Sequence, residues 1–223
     1  MLIAVWLALF LTQASSPAPS APTMTLPAGF DRPDSNERRW TPQSVESNGV
    51  LISFAQPDGW TPVSGTGRVV LMSDRFSHFS VGIGLPQRLP GPLSWPMTAA
   101  RLTEFAERLR GVLSQQKIVH QIVAVGQARL GEMRWIWLET RAQGGDVFKV
   151  AGLNYDAEDA QVWSFIAPVG AQIIQVQCIV PVPKGTQTEG ESVLDRARTD
   201  CAAALTRMRF TEKKQDNLVS RKP

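Results

Sequence analysis

The sequence predicts an α+β domain, a mostly antiparallel central sheet of about seven to eight strands covered by two main helices in an α/β/α sandwich. Three observations predict it. Apolar runs of strand length recur between residues 49 and 180, separated by turn residues. Two longer segments, 97–116 and 189–208, carry apolar residues at three- and four-residue spacing, as helices do. Short connections between the late strands favour antiparallel neighbours.

The early strands lie on either side of a predicted turn with the sequence PDGW at 57–60. Apolar runs at 49–54 and 67–73 flank this turn and predict the first two strands. The third strand, 79–85, alternates large apolar residues with Ser, Gly and Gly. Its small face therefore predicts close approach of another packed element. A Pro-rich loop, 86–96, leads into the first helix.

The first helix has a continuous apolar stripe, and Thr98 or Ser94 is its expected N-cap. The stripe consists of Leu102, Phe105, Ala106, Leu109, Val112 and Leu113. Five strand-like runs follow, at 118–125, 133–140, 147–155, 161–167 and 173–180. The predicted order is therefore β-β-β-α-β-β-β-β-β-α, which suits an antiparallel meander with two covering helices.

The beginning of the chain is typical of a secretory signal peptide. Residues 2–11 are apolar and uncharged, and small residues and a Pro/Ser/Ala spacer follow. The run is about half of the ~20 residues that a membrane-spanning helix needs. We expect a signal at 1–14, with 18 as an alternative cleavage position, and therefore a periplasmic or secreted protein without a stable membrane anchor.

After the signal, the composition predicts a Pro/Ser-rich flexible lead-in at 15–47, a single domain at 48–210 and a polar tail at 211–223. The hydrophobic fraction is 43%, which suffices for one folded core. The net charge is +3, and the basic residues are scattered along the chain. This pattern gives no electrostatic footprint for nucleic acid, so we expect no nucleic-acid partner.

The chain has two cysteines, Cys178 and Cys201. Cys178 lies on the same strand face as Ile174 and Val176 by the period of two, and Cys201 lies on the apolar stripe of the last helix. A helix that returns over the preceding strand brings these faces together, and an exported protein experiences oxidising conditions. A Cys178–Cys201 disulfide is predicted, and two buried free thiols are the alternative.

No motif in the sequence indicates catalysis, a metal or a cofactor. His78 and His120 are far apart and lie in no zinc-binding spacing. The GTGRVV run precedes a strand and does not open a helix, so it is not a dinucleotide fingerprint. We therefore expect a non-enzymatic protein with no cofactor and no metal.

Tryptophan is abundant, with seven residues in the chain. Trp135 and Trp137 share one strand face, and Trp40 and Trp95 fall in predicted loops. Core packing is the ordinary role of such residues. The functional alternative is a partner surface formed by Trp40, Trp95, Trp135 and Trp137, because exposed aromatic patches mark interaction sites.

The element order resembles the Mog1/PsbP-like fold family, which includes small DcrB-like bacterial envelope proteins. The resemblance covers residues 48–210 and rests on these segments: ISF, PDGW, the strand ending in MSD, FSVGIGL, LTEFAERLRGVL, ARLGEMRWIWLETR and the closing helix that terminates in RMRF. Members resemble one another in fold and serve as binding or accessory proteins. The resemblance implies a fold and no catalytic residues.

The sequence therefore favours an exported binding or accessory protein that acts on a protein partner in the cell envelope, with an immunity-type inhibitor as one form. Two alternatives remain. One is a carrier of a small apolar ligand, held between the small face at 80–84 and the first helix. The other is a hydrolase with a non-obvious site, for which a mechanism based on His78 and His120 could be excluded by replacing both with Ala. The sequence does not specify the oligomeric state or the partner's identity.

Overall fold

The structure is a computed structural model that describes residues 26–30, 39–62, 70–73, 79–88, 95–113, 119–143, 159–182 and 187–213. Its strands are β1 Trp40–Ser47, β2 Val50–Pro57, β3 Thr61–Pro62, β4 Val70–Ser73, β5 Ser80–Ile83, β6 Gln87–Arg88, β7 Val119–Leu130, β8 Met133–Gln143, β9 Asp159–Val169, β10 Gln172–Val182 and β11 Arg209–Glu212. Its helices are α1 Ala99–Leu113 and α2 Gln187–Thr206. The predicted α+β class is confirmed.

The larger sheet has the strand order β3-β4-β5-β10-β9-β8-β7, and β6 also pairs with β10. All of its pairs are antiparallel. Two-residue turns join β7 to β8 and β9 to β10, and each begins with a glycine at positive φ, Gly131 at 61° and Gly170 at 57°. Glycine adopts this conformation without steric cost. The two hairpin turns lie at the same end of the sheet because β7, β8, β9 and β10 are successive antiparallel neighbours.

A second, three-stranded sheet has the order β1-β2-β11 and is also antiparallel. Asn48 and Gly49 connect β1 to β2, with φ of 49° and 74°. An Asn-Gly pair with both residues at positive φ forms the hairpin turn that matches the twist of paired strands. The prediction of a single central sheet was therefore incomplete, because the chain ends of the domain form a sheet of their own.

Three predicted boundaries are corrected by this second sheet. The flexible lead-in does not extend to residue 47, because Trp40–Ser47 form β1. The last helix ends at Thr206 and not at 208, and the predicted polar tail does not begin at 211, because Arg209–Glu212 pair with β2 as β11. The predicted signal at 1–14 and the predicted strand at 147–155 lie outside the described residues.

Both faces of the larger sheet are covered. On one face the main core packs against α2 and the inner side of the small sheet, through residues such as Ile52, Cys201 and Leu205. On the other face a smaller core joins α1 to β7 and β8, through residues such as Leu102 and Ile136. The predicted α/β/α layering is present, with the small sheet lying beside α2 in its layer.

Aromatic side chains connect the parts of the main core. Phe30 makes an edge contact with Trp163 and a tilted contact with Phe165, each with ring centroids 5.4 Å apart. Trp135 contacts Phe165 at 6.0 Å and Phe210 at 5.9 Å in edge-to-face geometry. Such pairs contribute about 0.5–1.5 kcal/mol each beyond their buried area. Residues 26–30 therefore belong to the packed body, a second correction to the predicted lead-in.

The start of α1 is fixed by local hydrogen bonds. Thr98 Oγ1 accepts from the Arg101 amide at 3.3 Å, which confirms Thr98 as the N-cap. The side-chain amide of Gln127 bonds both backbone groups of Met97, at 2.9 and 2.8 Å. These contacts attach the helix to β7. Among the described residues, no helix has both the length and the apolar character needed to span a bilayer.

Candidate functional site

The predicted aromatic partner surface is not formed. Trp135 and Trp137 share a strand face as predicted, but they are 0% and 1% exposed. The alternation of β8 correctly places them together, but their face is the one that α2 and the small sheet cover. The assignment of these two residues to a partner surface was wrong, since both side chains are buried in the main core.

Trp40 and Trp95 are half-buried and lie on different parts of the molecule. Trp40 begins β1, and the guanidinium carbon of Arg207 lies 4.4 Å from its ring centroid. This cation–π contact attaches β1 to the end of α2. Trp95 packs against the smaller core beside α1. The four tryptophans therefore stabilise separate contacts and form no contiguous patch.

The predicted pairing of cysteines is present. Cys178 on β10 and Cys201 on α2 form a disulfide with Cα atoms 6.1 Å apart, and both residues are fully buried. The bond joins the middle of the larger sheet to the helix that covers it. It therefore has a structural role, and the described residues contain no free cysteine.

The predicted ligand space between residues 80–84 and the first helix is also corrected. α1 packs on β7 and β8, whereas β5 is separated from β8 by β10 and β9. The small face of β5 is nevertheless buried. His78, the side chain of His120 and the loop residues 89–94 lie outside the described part of the structure. Within the described ranges, no group of three or more His, Cys, Asp or Glu residues is arranged to hold a metal ion.

The candidate site is a cleft of about 420 Å³ at the hairpin-turn end of the larger sheet. Three segments line it: Glu132–Arg134 from the β7–β8 hairpin, Pro168–Gly170 from the β9–β10 hairpin, and Phe210–Glu212 from β11. The cleft is open to solvent and is not an enclosed cavity. We call this region the turn-end cleft.

Glycines allow the turn-end cleft to form. A Cβ atom on Gly131 would lie 3.0 Å from the Thr206 carbonyl oxygen, so the β7–β8 turn packs directly on the end of α2. A Cβ atom on Gly170 would lie 2.0 Å from a carboxylate oxygen of Glu212, so the side chain of Glu212 lies over the β9–β10 turn. The two turns and β11 are thereby brought together around one space.

The lining of the turn-end cleft combines an apolar floor with a charged rim. Val169 and Phe210 are buried, and Met133 is half-buried against the main core. On the rim, Arg209 Nε lies 2.8 Å from Glu132 Oε2, with both side chains exposed. Arg134 and Glu212 are exposed and make no ion pair with another described residue. The cleft therefore places an apolar surface beside exposed charged groups of both signs.

The turn-end cleft is not evident from the sequence. Its three segments are separated by about 34 and 40 residues in the chain. The pairing of β8 with β9 brings the first two segments together, and the pairing of β11 with β2 adds the third. A signal was present in the Asn48-Gly49 pair, which predicts a hairpin and hence an additional strand before residue 48.

No protein-family model matches the sequence, and no curated protein matches it. Several solved structures are similar to it at low sequence identity, including the following two. Cyanobacterial PsbP from Synechocystis is 13% identical with a TM-score of 0.44, over 76% of this chain and 92% of that one. LpqN of Mycobacterium tuberculosis, described as involved in cell envelope biogenesis, is 13% identical with a TM-score of 0.39, over 80% and 93%.

Proposed function

We propose that this protein is an exported, non-enzymatic binding protein that acts on a protein partner in the cell envelope, as an accessory subunit or an immunity-type inhibitor. The turn-end cleft is the observation that carries the proposal. Its apolar floor and charged rim reproduce the anatomy of protein interfaces, in which a desolvated centre is surrounded by polar contacts. The partner's anchor residue would occupy the floor, and Arg134 on the rim would orient it.

The export part of the proposal is supported by two independent features of the chain. The first residues are typical of a secretory signal. The buried Cys178–Cys201 disulfide is of the kind that forms and persists in oxidising compartments. Both features favour binding of the partner in the periplasm or in the extracellular space.

An affinity capture with two matched variants tests the proposal. Arg134→Glu reverses a charge at the turn-end cleft, and Arg141→Glu makes the same change at an exposed position at the far end of the same strand, β8. Residues 15–223 of each form are immobilised and exposed to the producing organism's envelope extract, with quantitative mass spectrometry as the readout. We expect one protein to be retained by the wild type and by Arg141→Glu, and its yield to fall about tenfold with Arg134→Glu, a loss of about 1.4 kcal/mol.

Two results would contradict this proposal. An empty capture would remove the support for a protein partner and would direct attention to a small-ligand carrier. Equal retention of one protein by all three forms would show that the binding surface lies elsewhere on the domain. Far-ultraviolet circular dichroism and the melting temperature of each variant control for unfolding, since surface substitutions of this kind change stability by no more than about 0.5 kcal/mol.

A further inference from the structure

The hydrogen-bond pattern of the small sheet determines which backbone groups of β11 point towards β2. The amide of Lys213 donates to the carbonyl of Gly49 at 2.9 Å, immediately after the last registered pair, Glu212 with Val50. In an antiparallel ladder, hydrogen-bonded pairs alternate with non-hydrogen-bonded pairs. Arg209 and Thr211 therefore bond to β2. The N–H and C=O groups of Phe210 and Glu212 point the other way, towards the outer edge of β11.

The outer edge of β11 borders the turn-end cleft. Phe210, Thr211 and Glu212 line the cleft directly. No other described residue forms a hydrogen bond to the outward backbone groups of Phe210 or Glu212. An edge with unpaired N–H and C=O groups is a template for pairing with a further strand. The cleft thus offers backbone donors and acceptors as well as an apolar floor.

The opposite edge of the same sheet supports this assignment. The two-residue turn at Asn48-Gly49 makes Ser47 and Val50 a hydrogen-bonded pair, so alternation directs the backbone groups of Pro42 and Ser44 outward from β1. Proline lacks an N–H group and is found at strand edges for this reason. The outer edge of β1 therefore carries a residue that blocks pairing, whereas the described edge of β11 carries none.

We propose that the partner binds to the turn-end cleft as an extended segment that adds a fourth strand to the small sheet along β11. Its backbone pairs with the outward groups of Phe210 and Glu212, and an apolar side chain of the segment packs on Met133 and Val169. The outward groups of these two residues are about 6.8 Å apart along the strand, the spacing at which alternate residues of an added strand pair. This inference rests on the proposed function and specifies the partner's conformation.

Proline substitutions separate this mode of binding from other uses of the cleft. Glu212→Pro removes the outward N–H and leaves the ladder to β2 intact. Ser44→Pro removes an equivalent outward N–H on the opposite edge, where the preceding outward position, Pro42, is already proline. Thr211→Pro removes an N–H that bonds to β2, so it is expected to lower the melting temperature. Glu212→Ala separates the loss of the carboxylate from the loss of the N–H.

The probe is a phage-displayed library of random linear peptides, selected on immobilised wild-type residues 15–223. We expect enriched peptides with apolar residues at alternate positions. Their affinity for Ser44→Pro should equal their affinity for the wild type. Their affinity for Glu212→Pro should be lower by a factor of about ten or more, which corresponds to the loss of one backbone hydrogen bond worth about 1.4 kcal/mol. The Glu212→Ala variant should bind the peptides more tightly than the Glu212→Pro variant does, because it keeps the outward N–H and loses only the carboxylate.

Amide hydrogen exchange of the wild type provides a second measurement that does not depend on the folding of a variant. In the free protein, the amides of Phe210 and Glu212 should exchange faster than those of Arg209 and Thr211. An enriched peptide should protect Phe210 and Glu212 selectively. Equal protection of all four amides in the free protein would overturn the assignment of the edge.

Several results would overturn the inference. The first is that no peptide is enriched. The second is that the enriched peptides bind Glu212→Pro and the wild type with equal affinity. The third is that the free protein dimerises and Glu212→Pro abolishes the dimer, because a second copy would then be the occupant of the edge. Retention of one envelope protein by wild type and Glu212→Pro alike would overturn strand addition and leave the proposed function standing. An empty envelope capture would instead remove the proposed function itself.

Discussion

Gly126→Ala is expected to destabilise the domain by about 3 kcal/mol, at the upper end of the range for overpacked cores. Gly126 on β7 lies opposite Trp137 on β8. A Cβ atom at this position would lie 2.7 Å from the Cε2, Cζ2 and Nε1 atoms of the Trp137 ring. The ring is rigid and 1% exposed, so it has no free space into which to move. For a domain of this size the melting temperature should fall by about 6–12 °C.

A double-mutant cycle provides the control for this prediction. Trp137→Ala alone should cost about 3–5 kcal/mol, because it leaves a large cavity in the main core. Adding Gly126→Ala to that background should cost almost nothing, since the ring that the methyl group would meet is gone. Urea denaturation of the four forms measures the coupling. If Gly126→Ala destabilises the Trp137→Ala variant as much as it destabilises the wild type, the proposed contact between the new methyl group and the ring is contradicted.

Loss of the Cys178–Cys201 disulfide is expected to cost about 3 kcal/mol and to lower the melting temperature by about 6–12 °C. The two residues are separated by 23 positions, so the bond closes a loop whose entropy in the unfolded chain it reduces. Both residues are fully buried between β10 and α2, which adds a packing loss when they are truncated. The variant Cys178→Ala/Cys201→Ala, compared with the wild type by thermal denaturation, measures the effect.

Reductant provides the matched control for the disulfide. It should lower the melting temperature of the wild type and leave that of the double variant unchanged. Alkylation of unreduced, denatured protein followed by mass spectrometry should add no label to the wild type. Two labels, or a wild type that is insensitive to reductant, would contradict the bond.

The parts of the fold that depend on periodicity were predicted from the sequence. The apolar stripe of α1 and the faces of Cys178 and Cys201 follow from spacing alone, because a helix or strand presents its residues at a fixed angle. β10 is observed at Gln172–Val182, around the run predicted at 173–180. Thr98 was one of the two N-caps that the sequence predicted, with Ser94 as the other, since N-caps have a local chemical signature.

The parts that depend on tertiary packing were not predicted. Trp40–Ser47 contains proline and mostly polar residues, and it becomes a strand because β2 provides its partner. Period-two alternation placed Trp135 and Trp137 on one face, but only the packing of α2 and the small sheet decides that this face is buried. The turn-end cleft unites residues from three distant segments, so no local pattern of residues indicates it.

The proposed function requires that a protein partner dock at the turn-end cleft. Site-specific photo-crosslinking in the producing organism tests it most directly, with a benzophenone amino acid placed at Thr211 on the rim or at Arg141 as the exposed control on the same domain. We expect one discrete adduct with a single envelope protein from Thr211 and none from Arg141. Adducts of equal yield from both positions, or no adduct from Thr211, would contradict it.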